Sequence, residues 1–191
     1  IYEIFEEICG ARLTTNIGRI GGMERDFSPK AWEKLDHFLK NFPPGLREFQ
    51  KLVDRNRIFM DRTINVGGIT VDMALDYGFT GPNLRAAGVD YDVRVANPYS
   101  SYEDFEFDIP VGTNGDTYDR YMVRMEEMRQ SVRIIRQCIA DMPEGPVSSL
   151  DRKVVPPSRS EMKRSMEALI HHFKLYTEGF HVPAGEAYVA T

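Results

Sequence analysis

Two adjacent imidazoles, His171 and His172, with Glu167 one helical turn before the first, are the side chains here best suited to proton chemistry. A histidine titrates near neutrality, and a carboxylate four residues earlier on a helix can orient it. Successive helical residues point about 100° apart, so the two rings cannot ligate one metal from one face. Packing or solvation of the pair is the simpler reading, with proton transfer as the alternative. Cys9 and Cys138 stand far apart with no CxxC spacing, so this chain alone builds neither a zinc site nor a cysteine-ligated cluster. The glycines Gly18, Gly21, Gly22, Gly67 and Gly68 fit neither a GxGxxG nor a GxxxxGK phosphate loop and predict tight turns. No Ser/His/Asp or Cys/His arrangement is legible, so no catalytic residue and no metal ligand is assigned.

Charged residues form the other large set. Arg120, Arg124, Arg129, Arg133 and Arg136 are interspersed with Asp119, Glu126 and Glu127, which predicts surface ion pairs worth about 0.3–0.5 kcal/mol each. Arg85 and Arg94 fall in Gly/Pro-rich stretches, where a buried contact to a neighbouring protein is expected.

The elements that must position these residues are mostly helical. Ile1, Tyr2, Ile4, Phe5 and Ile8 read as the last turns of a helix stopped by Gly10. Ser28 and Pro29 open a helix carrying Ala31, Leu35, Phe38, Leu39 and Phe42, which Pro43 and Pro44 are expected to end. A second helix over 45–55 would then pair with it antiparallel. Thr70 caps a short helix ending at Gly78, and 80–114 reads as loops and short extended pieces. The strongest periodicity runs over 118–142, where Tyr118, Tyr121, Met125, Met128, Val132, Ile135, Ile139 and Met142 recur at steps of three and four behind the cap Asp116. Ser158 and Glu161 form a capping box for a helix over 160–176 that Gly179 stops, and 186–191 alternates like a strand. The fold class is mainly α: a helical bundle with irregular crossovers and little β-structure.

Composition agrees with a folded domain: 191 residues, 42% hydrophobic and 28% charged. A net charge of −5 and a pI near 5.4 argue against a nucleic-acid partner, since phosphate binding needs clustered Lys and Arg. No apolar run approaches the roughly 18 residues of a spanning helix and no basic-then-apolar leader opens the chain, so a soluble chain in a reducing cytoplasm is expected. Both ends read as cuts, which makes 1–191 a single partial domain of a longer polypeptide.

The blocks Gly10-Ala11-Arg12, Gly18-Arg19-Ile20-Gly21-Gly22 and the run 81–94 resemble the D-type subunit of respiratory complex I, the NADH:quinone oxidoreductase. So do Asp119-Arg120-Tyr121, the run 125–131 and the run 165–179, in the family's order and over nearly the whole chain. The resemblance implies a fold similar to the nickel–iron hydrogenase large subunit. It also implies a role beside the quinone site, in electron transfer from NADH to quinone coupled to proton translocation. The parent complex uses FMN, iron–sulfur clusters, NADH and quinone, none of them expected to be bound by this chain. Implied partners are the other peripheral-arm subunits, above all the one carrying the terminal 4Fe–4S cluster, at the cytoplasmic side of the bacterial membrane.

The resemblance has three departures. Hydrogenase-like CxxC ligands are absent, and the His and Tyr that hold the quinone headgroup belong to an N-terminal part of the family expected to lie outside this chain. Many members carry a His two residues after the arginine of the Gly-Ala-Arg block, where this chain has Thr14, a version found in some menaquinone users. Arg12, Thr14 and Arg19 are thereby expected near the terminal cluster in the complex. The alternatives are a fragment of a hydrogenase-type large subunit, which would need Cys pairs elsewhere, and a non-enzymatic helical interaction module.

Overall fold

The computed structural model describes residues 1–179 and 181–189. It is mainly helical and divides into two compact units, one of Ile1–Phe38 with Pro143–Tyr188, the other built on Leu39–Met142.

In the first unit, α1 (Tyr2–Cys9) ends at Gly10, whose φ of 77° closes the helix with its amide on the Glu6 carbonyl. A two-stranded antiparallel hairpin follows, β1 (Gly18–Arg19) paired with β2 (Gly22–Met23). Gly22 also bridges Ser148, and a Cβ there would sit 2.4 Å from the Val147 carbonyl oxygen, so only glycine allows this approach. The sheet therefore lies near the start of the chain. Over 186–189 no strand forms, and the last two residues of the expected alternation lie outside the described residues.

Helix α2 (Pro29–Val53) begins as expected, with Ser28 Oγ accepting the Ala31 amide at 3.1 Å. It does not end at Pro43 and Pro44, so the expected pair of antiparallel helices is one helix with both prolines inside it. The Arg136 guanidinium donates to the Leu39 carbonyl, the acceptor that an amide at position 43 would have used. Leu39 and Leu46, seven residues apart on one face and both buried, keep the two sides of the prolines on a common packing surface.

The second unit continues with α3 (Arg57–Thr63), which sequence reasoning missed and which Asn56 caps by accepting the Ile58 and Phe59 amides. Next is α4 (Val71–Asp76), capped by Thr70 as expected. The stretch read as loops holds α5 (Gly81–Ala86), α6 (Val93–Ala96) and a 3-10 turn at Tyr102–Asp104. Ala74, Leu84 and Ala87 form the core here, with Ile69, Phe79 and Val89 against them.

Helix α7 (Thr117–Ala140) packs on α5 and α3. Asp116 caps it by accepting the Asp119 amide at 2.8 Å, and its other oxygen takes the Asn65 amide. The helix is buried on two opposite sides, Met125 and Val132 on the expected stripe and Val123 and Ile134 about 180° round the helix. Along the stripe the burial fades toward the end, where Ile135 is half-buried and Ile139 and Met142 are exposed.

Back in the first unit, the helix expected over 160–176 is two. The capping box at Ser158 and Glu161 starts α8 (Arg159–Met162). Ser165 leaves the helical region at φ −127° and caps α9 (Met166–Thr177) by accepting the Ala168 amide at 3.3 Å. That side-chain bond replaces one turn of the backbone ladder, which is why the helix restarts.

Candidate functional site

The segment between α1 and α2, a loop running into the β1–β2 hairpin, carries Arg12, Thr14 and, in β1, Arg19, the three residues expected near a redox centre. The structure gathers them in one segment of the first unit, and all three are exposed. Arg12 Nε donates to Glu6 Oε2 at 3.0 Å, and Arg19 Nη2 to Glu24 Oε2 at 2.9 Å. With 67% and 51% of their side chains exposed, these pairs contribute little to stability, so either guanidinium can exchange its partner at small cost. Leu13 and Ile20 stand 74% and 71% exposed between the arginines and beside them. Apolar side chains next to freely exchangeable cations suit a docking surface better than a catalytic pocket.

The base of this loop is fastened. Glu7 accepts Ser28 Oγ at 3.1 Å and pairs with Lys30 at 3.1 Å and Lys34 at 3.5 Å, tying α1 to the first turns of α2. The Lys30 hydrogen bond leads the causes that hold the Glu7 carboxyl below its usual range. Sequence reasoning missed Glu7. Its only local signal was an acid one turn before a glycine stop, and its partners lie about twenty residues on.

The other candidates resolve into structure. His171 Nε2 lies 3.6 Å from Glu167 Oε1, and the His172 ring packs on Tyr176 at 4.7 Å. Cys9 Sγ donates to the Phe5 carbonyl within its own helix, while burial pushes the Cys138 thiol up. Among the described residues no group of three His, Cys, Asp or Glu side chains converges as metal ligands. The open cavity of about 520 Å³ beside α9 is lined by Arg152 and Glu161, which pair with each other, and by Glu167 and His171, which lie side by side.

Arg85 and Arg94 find their partners within the chain. Arg85 is buried and donates to Glu127 from Nε and Nη2 and to the Tyr91 carbonyl from Nη1. Arg94 grips the Asp92 carboxylate from Nε at 3.0 Å and from Nη2 at 2.6 Å, and its guanidinium lies 4.8 Å from the Phe107 ring. Burial pushes the Asp92 carboxyl up, but the Arg94 hydrogen bonds and the charges of Arg94 and Arg85 together outweigh it and hold it below its ordinary value. Of the arginines on α7, Arg129 pairs with Glu126 as predicted. Arg120 donates to the Gly67 and Gly115 carbonyls, and Arg133 reaches Asp108.

The class that fold and site define is a mainly helical protein whose buried charges Arg85, Asp92 and Asp116 are bonded within the chain and whose arginine-bearing segment before α2 is exposed. The chain belongs to the family of the respiratory-chain NADH dehydrogenase 49 Kd subunit, which it matches over residues 1–191. It is 60% identical to the D-type subunit of the NADH-quinone oxidoreductase of Flavobacterium johnsoniae over 192 residues, covering 100% of this chain and 46% of that protein. It is 60% identical to a D-type subunit of the Cytophaga hutchinsonii enzyme, covering 98% of this chain and 49% of the relative. It is 55% identical to the corresponding Rhodospirillum rubrum protein, covering 100% and 48%. The chain thus spans about half the length of the relatives it matches.

Proposed function

We propose that this chain is the part of the D-type subunit of an NADH-quinone oxidoreductase that packs against the protein carrying the terminal 4Fe–4S cluster, and so helps wall the quinone site. The observation that carries this reading is the exposed loop bearing Arg12, Thr14 and Arg19 in a chain that matches the family from end to end. The assembly passes electrons from NADH through FMN and iron–sulfur clusters to quinone, coupled to proton translocation. This chain's residues supply position, charge and a surface, and the redox groups are carried by its neighbours. Both units are read as one partial domain, akin in fold to the nickel–iron hydrogenase large subunit. The protein sits peripherally on the cytoplasmic side of the bacterial membrane; among the described residues no helix is long and apolar enough to cross one.

The test is Thr14→His in the assembled complex, read by redox titration of the terminal cluster with electron paramagnetic resonance. An imidazole beside the cluster binds a proton more tightly once an electron has been added, because negative charge raises a neighbouring pKa. Each unit of that shift raises the potential by about 59 mV at low pH for a one-electron couple. Native Thr14 does not titrate near neutrality, so the native potential is expected to be low and nearly independent of pH, suited to menaquinone. Thr14→His is expected to raise it and add a slope near neutrality. A steep native slope would reveal another proton-linked group beside the cluster, and a variant identical to the native complex would remove Thr14 from the cluster's surroundings; either result overturns this account.

A further inference from the structure

Helix α9 is apolar on two opposite sides. Ala168 and Leu175 face its own unit, Ala168 only 9% exposed and Leu175 half-buried. At about 100° per residue, Met166, Leu169, Ile170, Phe173 and Tyr176 fall together on the other side. They are exposed at 72%, 46%, 50%, 66% and 68% respectively. Glu167 and Lys174 leave one flank polar, and a contiguous exposed apolar stripe beside it marks a surface that something covers.

We propose that this stripe is the seat of a helix from the part of the polypeptide that the relatives carry beyond the matched stretch. Two observations select that occupant. Met166, Leu169, Phe173 and Tyr176 repeat at steps of three, four and three, the seam into which the side chains of a second helix interlock, whereas a strand would present a period of two. The Flavobacterium johnsoniae relative devotes only 46% of its length to the matched stretch, so more than half of its residues are available on the same polypeptide. A tethered segment acts at an effective concentration in the millimolar range, which disfavours pairing between two copies at ordinary protein concentrations. The inference rests on family membership and not on the docking role of the loop at Arg12, Thr14 and Arg19.

Thiol labelling tests it. Phe173→Cys is prepared in the 191-residue chain and in the full-length Flavobacterium johnsoniae relative with its matched stretch replaced by this chain. Lys174→Cys, exposed and off the stripe, serves as the control in both, with the labelled position read by mass spectrometry against Cys9 and Cys138. The expected result is rapid alkylation of Phe173→Cys in the short chain and at least about tenfold slower alkylation in the free full-length protein, with Lys174→Cys equally fast in both. Equal rates for Phe173→Cys in the two forms would overturn the proposal. Protection of the short chain that grows with its concentration would assign the stripe to a second copy, and protection only in the assembled complex would assign it to a neighbouring protein. Either result also overturns the proposal, and none of them depends on the cluster.

Discussion

Arg136 donates from Nη2 to the Leu39 carbonyl at 3.4 Å across 97 residues of sequence. That carbonyl is the one Pro43 cannot serve, because proline has no amide proton. A side chain from α7 thus supplies a bond that the backbone of α2 lacks, at the place where sequence rules end the helix.

Arg136→Met is therefore expected to cost about 1 kcal/mol of unfolding free energy, the ordinary net worth of a hydrogen bond. In a Pro43→Ala background the amide at position 43 takes the carbonyl, so the same change should cost distinctly less. Urea denaturation of the parent, the two single variants and the double variant closes the cycle. Strict additivity would show that Arg136 does not stand in for the missing amide.

The two buried sides of α7 make a second prediction. Val123 is 3% exposed, whereas Ile139, on the stripe anticipated from sequence, is 36% exposed. Val123→Asp places an uncompensated charge in the core, at several kcal/mol, against a total stability of about 5–15 kcal/mol. It is expected to unfold the unit, while Ile139→Asp should shift the thermal midpoint only slightly. Circular dichroism melts separate the two, and the reverse order would show that the Val123 side faces no core and that the expected stripe stays buried as far as Ile139.

Asp92 predicts a dependence on pH. Its folded carboxyl is held below the ordinary value of 3.8 by Arg94 and Arg85, despite burial. A group depressed on folding stabilises the native state above its unfolded pKa, and that contribution is lost as pH falls through the folded value. Stability should therefore fall in acid below about pH 4 partly through Asp92, and Asp92→Asn should be less stable at neutral pH with a flatter acid limb. Thermal melts from about pH 6 to about pH 3 measure this. An acid limb of unchanged slope in Asp92→Asn would show that Arg85 and Arg94 do not favour the ionised form.

What the sequence determined by itself is what neighbours within one turn can decide. Ser28, Thr70, Asp116 and the Ser158–Glu161 box each cap a helix where expected, because a cap accepts an amide two or three residues on. Gly10 ends α1 for an equally local reason, its left-handed φ. Family membership was legible too, since whole blocks of residues in order need no folding to be compared. Only the tertiary structure decided that α2 passes Pro43 and Pro44, because the donor lies 97 residues away. It alone turned Arg85 inward onto Glu127, 42 residues on, and buried a second face of α7 at Val123 and Ile134, opposite the expected stripe. The three loop residues Arg12, Thr14 and Arg19 were named in advance, but their exposure beside Leu13 and Ile20, over a base clamped by Glu7, was not. Long-range partners supply the donors, acceptors and apolar surface that override local preference, and a sequence read a few residues at a time does not contain them.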